Sequence, residues 1–174
     1  MELTKPVQAR MRERPVDMKP PDPRRSSAML SQKAKYALRA LLMLASHPGD
    51  QPLLISDIAE SQRIPKKFLE QILLDLKFHG LVTSRRGKHG GYVLLKPADL
   101  ITLADVMRLI DGPIAPLPCL SRTAYQRCDD CDGEECLLRQ SFAEAHQAHV
   151  RVLESTTLAL ILQRQAQGQQ RVSL

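Results

Sequence analysis

The chain has 174 residues, of which 43% are hydrophobic, 25% charged and 3% aromatic, with no Trp; this holds one domain, or one domain with an extension, and buries a core without staples. The scarcity of aromatics argues against a sugar site or a stacking platform for single-stranded nucleic acid. No apolar run reaches the ~20 residues of a membrane span and the N-terminus lacks a secretory apolar core, so a cytoplasmic protein with no membrane association is expected.

The net charge of +6 is unevenly spread: residues 1–100 carry 18 Lys and Arg against 10 Asp and Glu, and residues 101–174 carry 7 against 9. A basic N-terminal half points to a polyanionic partner. Residues 1–28 hold five prolines, many charges and no apolar periodicity, which predicts a disordered tail. The folded part is expected to begin near Met29, which also suits a translation start; Arg24 and Arg25 are read as solvated tail residues.

Residues 31–47 predict a helix with Tyr36, Leu38, Leu41, Leu42, Leu44 and Ala45 on one broad face, stopped by Pro48-Gly49. Ser56 is expected to cap a short helix with Ile58 and Ala59 inward. Ile64 and Pro65 form the turn, with the proline at the first position of the next helix. That helix, about 66–79, is expected to bury Phe68, Leu69, Ile72, Leu73 and Leu76 and to end at Gly80 in a left-handed cap. Two helices joined by a tight turn make a helix-turn-helix. The period then changes to alternation over 81–85 and 91–95, around the glycine-rich tip RGKHGG. This hairpin reads as the wing of a winged helix. Thr102 is expected to cap a helix over 103–110 containing Val106, Met107, Leu109 and Ile110. A proline- and cysteine-bearing loop over 113–136, a long helix over 136–154, a short helix over 157–163 and a fraying C-terminus complete the chain.

These elements divide the chain into a tail (1–28), a winged helix-turn-helix (29–98), a linker helix with a cysteine loop (99–136) and a dimerisation helix with a frayed end (137–174). The fold class is mainly α with a small β wing.

The second helix of a helix-turn-helix places its N-terminal residues in the major groove of double-stranded DNA. Here these are Lys66, Lys67, Glu70 and Gln71. Lys and Gln donate to purine edges, and Glu accepts from the cytosine amino group. Arg85, Arg86, Lys88 and His89 lie at the wing, where glycines permit close backbone approach and Arg86 suits a narrow, electronegative minor groove. Ser31, Lys33 and Lys35, with Arg39, are placed to set register on phosphates. On the long helix, Leu138, Phe142, Ala145, His149 and Val152 recur at steps of four and three, a coiled-coil-like stripe. A symmetric homodimer buries such a stripe and sets two reading heads on a palindromic operator. No phosphate loop, paired acid and base, or activated nucleophile is found, so an enzyme is not expected.

All four cysteines, Cys119, Cys128, Cys131 and Cys136, fall within eighteen residues. Thiolates are soft ligands for zinc, copper(I) or iron–sulfur clusters, and structural disulfides are rare in the cytoplasm. Spacing alone ranks an iron–sulfur cluster no higher than zinc, and a thiol redox switch is a further alternative. Asp129, Asp130, Asp132, Glu134 and Glu135 around them read as a solvated acidic loop.

The segments MLSQKAKYALRALLMLA, IPKKFLEQILLDLKFHGLV, SRRGKHGGYVL and ITLADVMRLIDGP resemble the Rrf2 family of iron–sulfur-sensing winged-helix regulators, of the IscR and NsrR type, over about residues 29–163. The resemblance implies a homodimer with a long C-terminal dimerisation helix and a cluster in the loop before it that alters DNA affinity. It implies a base-discriminating role for Glu70 and minor-groove entry for Arg86. It also implies Cys119, Cys128 and Cys136 as ligands. The family's fourth ligands are missing here: Leu137, Leu138 and Arg139 stand where some members carry a histidine, and Lys35 stands where others carry an acid. Cys131 is additional, and either completes an all-cysteine set or leaves the fourth position open. Both 2Fe–2S and 4Fe–4S clusters stay open.

Overall fold

Alanines at 34, 37 and 40 give the first helix a face with almost no side-chain volume, and that helix becomes the axis of the molecule. A computed structural model describes residues 30–47, 51–87, 90–128 and 136–172. In it, α1 (Gln32–Ser46) packs against the helices over Ile55–Gln62, Lys66–Phe78, Leu103–Asp111 and Leu158–Val172, and also against the wing. Ser31 caps it, its Oγ accepting from the Ala34 amide at 3.0 Å. Ala34, Ala37, Ala40, Leu41 and Leu44 are buried. The expected Tyr36, Leu38, Leu42 and Ala45 flank that face, half-buried. The Pro48-Gly49 stop lies outside the described residues.

Helix α2 (Ile55–Gln62) buries Ile58 and Ala59 as expected, but Leu54 and not Ser56 occupies its N-cap. Ser56 sits inside the first turn and its hydroxyl donates to Asp57 Oδ1 at 3.1 Å. Arg63 ends the helix in the left-handed region, φ 50°. Pro65 is the N-cap of α3 (Lys66–Phe78), one position before the expected one. Leu69, Ile72, Leu73 and Leu76 are buried; at about 1.5–3 kcal/mol each, they anchor α3 in the core. Phe68, expected to be buried, is 38% exposed and meets Tyr36 edge-on with ring centroids 5.8 Å apart. Gly80 takes the expected left-handed turn, φ 69°.

Strands β1 (Val82–Arg85) and β2 (Gly91–Leu94) pair antiparallel, Val82 opposite Leu94 and Arg85 opposite Gly91. The chain before α2 joins the hairpin: Leu53 and Tyr92 exchange backbone hydrogen bonds at 3.0 and 2.8 Å. This crossing explains the last wing glycine, because a Cβ on Gly91 would lie 2.4 Å from the Leu53 carbonyl oxygen. Gly91 thus serves one of the protein's own backbone contacts and Gly90 lies against the backbone of Arg85 and Gly87, while Gly87 has open space around its Cα among the described residues.

Helix α4 (Leu103–Asp111) starts with a full capping box between Thr102 and Asp105 and buries Ala104, Val106 and Met107. The long helix is α5 (Leu137–Ser155). The expected short helix and fraying end are corrected: α6 runs from Leu158 to Val172. Its first turn is tied down, since Leu158 is fully buried and its amide donates to the Ile101 carbonyl at 3.0 Å. Leu103 donates likewise to Thr156 at 2.9 Å. One core cluster therefore unites Ala37, Leu41, Ile72, Val106 and Leu158.

Gly91→Ala is expected to destabilise the protein by about 1–3 kcal/mol, since both the left-handed φ and the Leu53 backbone oppose a side chain. Urea unfolding monitored by circular dichroism checks this, with an unchanged midpoint counting against the Leu53 crossing.

Candidate nucleic-acid interface and cysteine segment

The face of α3 opposite its buried residues carries Lys66, Lys67, Glu70 and Gln71, all exposed. The two lysines and Glu70 make no ion pair among the described residues. The Lys77 ammonium donates to the Ser84 hydroxyl at 2.6 Å, which ties α3 to the first strand of the wing. Arg85 and Arg86 are exposed where the wing leaves β1. Lys88 and His89 lie outside the described residues.

The cations of α1 divide. Lys33 reaches α3 and pairs with Asp75 at 2.7 Å. Both side chains are over a third exposed, so the pair is worth at most about 1 kcal/mol and orients α3 more than it holds it. Lys35 is exposed and unpaired among the described residues. Ser31 is already engaged: its amide donates to Asp111 Oδ2 at 3.0 Å and its hydroxyl donates to Asp111 Oδ1. Sequence reading missed both links, because partners 42 and 80 positions apart carry no local signal.

Asp111 is the last residue of α4, and the cysteine segment follows. Cys119 is buried in a short helical turn, Pro118–Leu120, which packs on α5. Cys128 is half-buried, and Cys136, also half-buried, occupies the N-cap of α5. Cys131 lies outside the described residues. Among the described residues no three Cys, His, Asp or Glu side chains gather into a metal-binding group.

Helix α5 turns His146 and Val150 inward. Along the predicted stripe, Leu138, Phe142 and Val152 are 63%, 45% and 62% exposed. The chain's own core leaves that stripe largely uncovered. A cavity of about 390 Å³ opens between α5 and the end of α4, lined among others by Met107, Ile114, Phe142, His146 and His149. His146 is the packed histidine, and its Nδ1 has no hydrogen-bond partner among the described residues. His149, on the predicted stripe, is half-buried.

No described helix is long and apolar enough to cross a membrane. The profile of Rrf2, described as an iron-dependent transcriptional regulator, matches residues 30–164. An rrf2-like HTH-type transcriptional regulator of Rhodobacter capsulatus is 51% identical over 134 residues, covering 75% of this chain and 89% of that protein. The solved structure of CymR, the global cysteine regulator of Bacillus subtilis, aligns with a TM-score of 0.64 at 34% identity, over 76% of this chain and 94% of that one. IscR of T. potens aligns with a TM-score of 0.65 at 28% identity, over 82% of this chain and 92% of that one.

Asp111→Ala removes the acceptor of both Ser31 hydrogen bonds. A loss of about 1 kcal/mol is expected, read as a lower urea midpoint with unchanged slope; an unchanged midpoint would show that the contact contributes nothing to stability.

Proposed function

The chain belongs to the Rrf2 family of transcriptional regulators, and from that membership we propose a cytoplasmic homodimer whose affinity for a palindromic operator is set by an iron–sulfur cluster at the Cys119–Cys136 segment. DNA binding and regulation, and not catalysis, are what the family does. The finer reading concerns how this chain does it.

On the DNA side, Lys66, Lys67, Glu70 and Gln71 take base edges in the major groove, and Arg85, Arg86, Lys88 and His89 follow the wing to the minor groove and backbone. Lys35 faces phosphate. Ser31 and Lys33 act on the same end of α1; in this structure they are bound to Asp111 and Asp75, so any phosphate contact would exchange or share those partners. A second copy covers the exposed Leu138, Phe142 and Val152 stripe together with the neighbouring cavity. That burial supports the dimer, since an isolated long helix with large apolar side chains in water is unfavourable.

The observation that carries the regulatory part is how the cysteine segment is anchored. It leaves α4 directly after Asp111, whose carboxylate holds the cap of α1, and it enters α5 at Cys136. Constraint of this segment is thereby felt at the reading head and at the dimer helix together. The donor set suits the cofactor: four soft thiolates in one segment, the first already withdrawn from solvent. Cys119, Cys128 and Cys136 would hold the cluster, with Cys131 as the fourth ligand. When bound, such a cluster supplies an iron- and redox-sensitive crosslink between these thiolates. A coupling of about 1–3 kcal/mol to DNA binding suffices for a switch.

Anaerobic purification with iron, sulfide and zinc assays tests the cofactor. A coloured protein with iron and sulfide is expected; a colourless protein with one zinc per chain would sink the cluster in favour of a structural metal. A metal-free protein whose DNA affinity follows only thiol oxidation would point to a redox switch instead. Cys131→Ser is expected to lower cluster content or alter the visible spectrum, and identity with wild type would remove Cys131 from the ligand set. Operator affinity of the cluster-bound and stripped forms should differ by about fivefold or more; equal affinities would end the sensing proposal.

A further inference from the structure

We propose that Arg63, in the turn between α2 and α3, is an additional DNA contact that takes a backbone phosphate beside the groove α3 enters. The inference rests on the DNA-binding reading and deepens it.

Arg63 is the one non-glycine residue with positive φ among the described residues, at φ 50° and ψ 48°. That conformation is unfavourable for L side chains and easy for Gly or Asn. The fold needs the conformation there: the Arg63 amide closes α2 on the Glu60 carbonyl at 3.1 Å, and the chain then turns into Pro65 and α3. The fold does not need the arginine. Its side chain is exposed and makes no hydrogen bond or ion pair with any described residue, including Glu60 one turn earlier. A long cation thus occupies the position where a glycine would cost least, and no hydrogen bond or ion pair among the described residues accounts for it.

Its surroundings supply the missing partner. Lys66 and Lys67 follow within one turn, both exposed and unpaired among the described residues. The amino-terminal end of α3 adds the positive pole of its backbone dipole. Arg63, Lys66, Lys67 and that helix end form one positively charged ridge on the turn that a helix-turn-helix presents to the duplex. By contrast, Lys33, Lys77 and Arg108 are spent on internal partners. Planar guanidinium groups match phosphate oxygens bidentately. A phosphate contact sets register and carries no sequence information, so its loss should weaken binding to every duplex alike.

The test compares wild type with Arg63→Gly, Arg63→Asn and Arg63→Lys on two probes: an operator selected from random sequence by the wild-type protein, and an unrelated random-sequence duplex, each titrated with KCl. Gly and Asn both tolerate the backbone conformation, and Asn does so without added chain flexibility. Both variants should melt no lower than wild type. Both should bind each probe about eightfold more weakly at ~0.1 M salt, with the log–log salt slope flatter by about 0.9, the counterion-release share of one phosphate. Arg63→Lys should keep most of the affinity and the slope. Unchanged affinity and slope in the Gly and Asn variants would overturn the inference, as would a loss confined to the operator probe or one without a change of slope. Wild-type protein that retains neither probe would instead defeat the DNA-binding reading itself, and this inference with it.

Discussion

Close packing around α1 is the constraint on which the rest depends. Ala34, Ala37 and Ala40 are fully buried, and their small side chains let neighbouring helices approach the backbone of α1 from several directions. α2, α3, α4, α6 and the wing all rest on it. Interiors are packed at crystal-like density, so a larger side chain at any of these alanines would displace a neighbour. Displacing α3 would move the reading face; displacing α4 would move the root of the cysteine segment. α3 and the root of the cysteine segment thus share this one support.

Polar contacts then fix orientation at low energy. The half-exposed Lys33–Asp75 pair contributes little beside the four buried aliphatic side chains of α3. Its value is directional: it fixes the α1 terminus against the flank of α3. Lys77 on Ser84 does the same between α3 and the wing, and Asp111 on Ser31 between α4 and α1. Three weak links of this kind orient helices and a hairpin that packing holds together.

The candidate site was legible to different depths. The exposed row Lys66, Lys67, Glu70 and Gln71 follows from helical period alone, because the same spacing that buries Leu69, Ile72, Leu73 and Leu76 turns those residues outward. Gly80 and the capping box at Thr102 were likewise written locally. Ser56 was misjudged as a cap because Leu54 starts the helix without a side-chain hydrogen bond. Phe68 was misjudged because its neighbour, Tyr36, lies on a different helix and leaves it part-exposed. The sequence shows the wing glycines but not that Gly91 is required by Leu53, a residue 38 positions away that periodicity does not connect to it.

By itself the sequence determined the order of helices, the turn and the hairpin, the outward charges of α3, and the confinement of four thiols to one segment. Each of these depends on residues within a turn or two of one another, where backbone preference and apolar period act directly. Only the tertiary structure decided which cations are spent on internal partners, that α6 continues to Val172 once Leu158 is anchored, and that the cysteine segment departs from the carboxylate holding the cap of α1. Those outcomes depend on surfaces meeting across the core. A long side chain is free or paired according to what packing brings near it, and no local pattern encodes that.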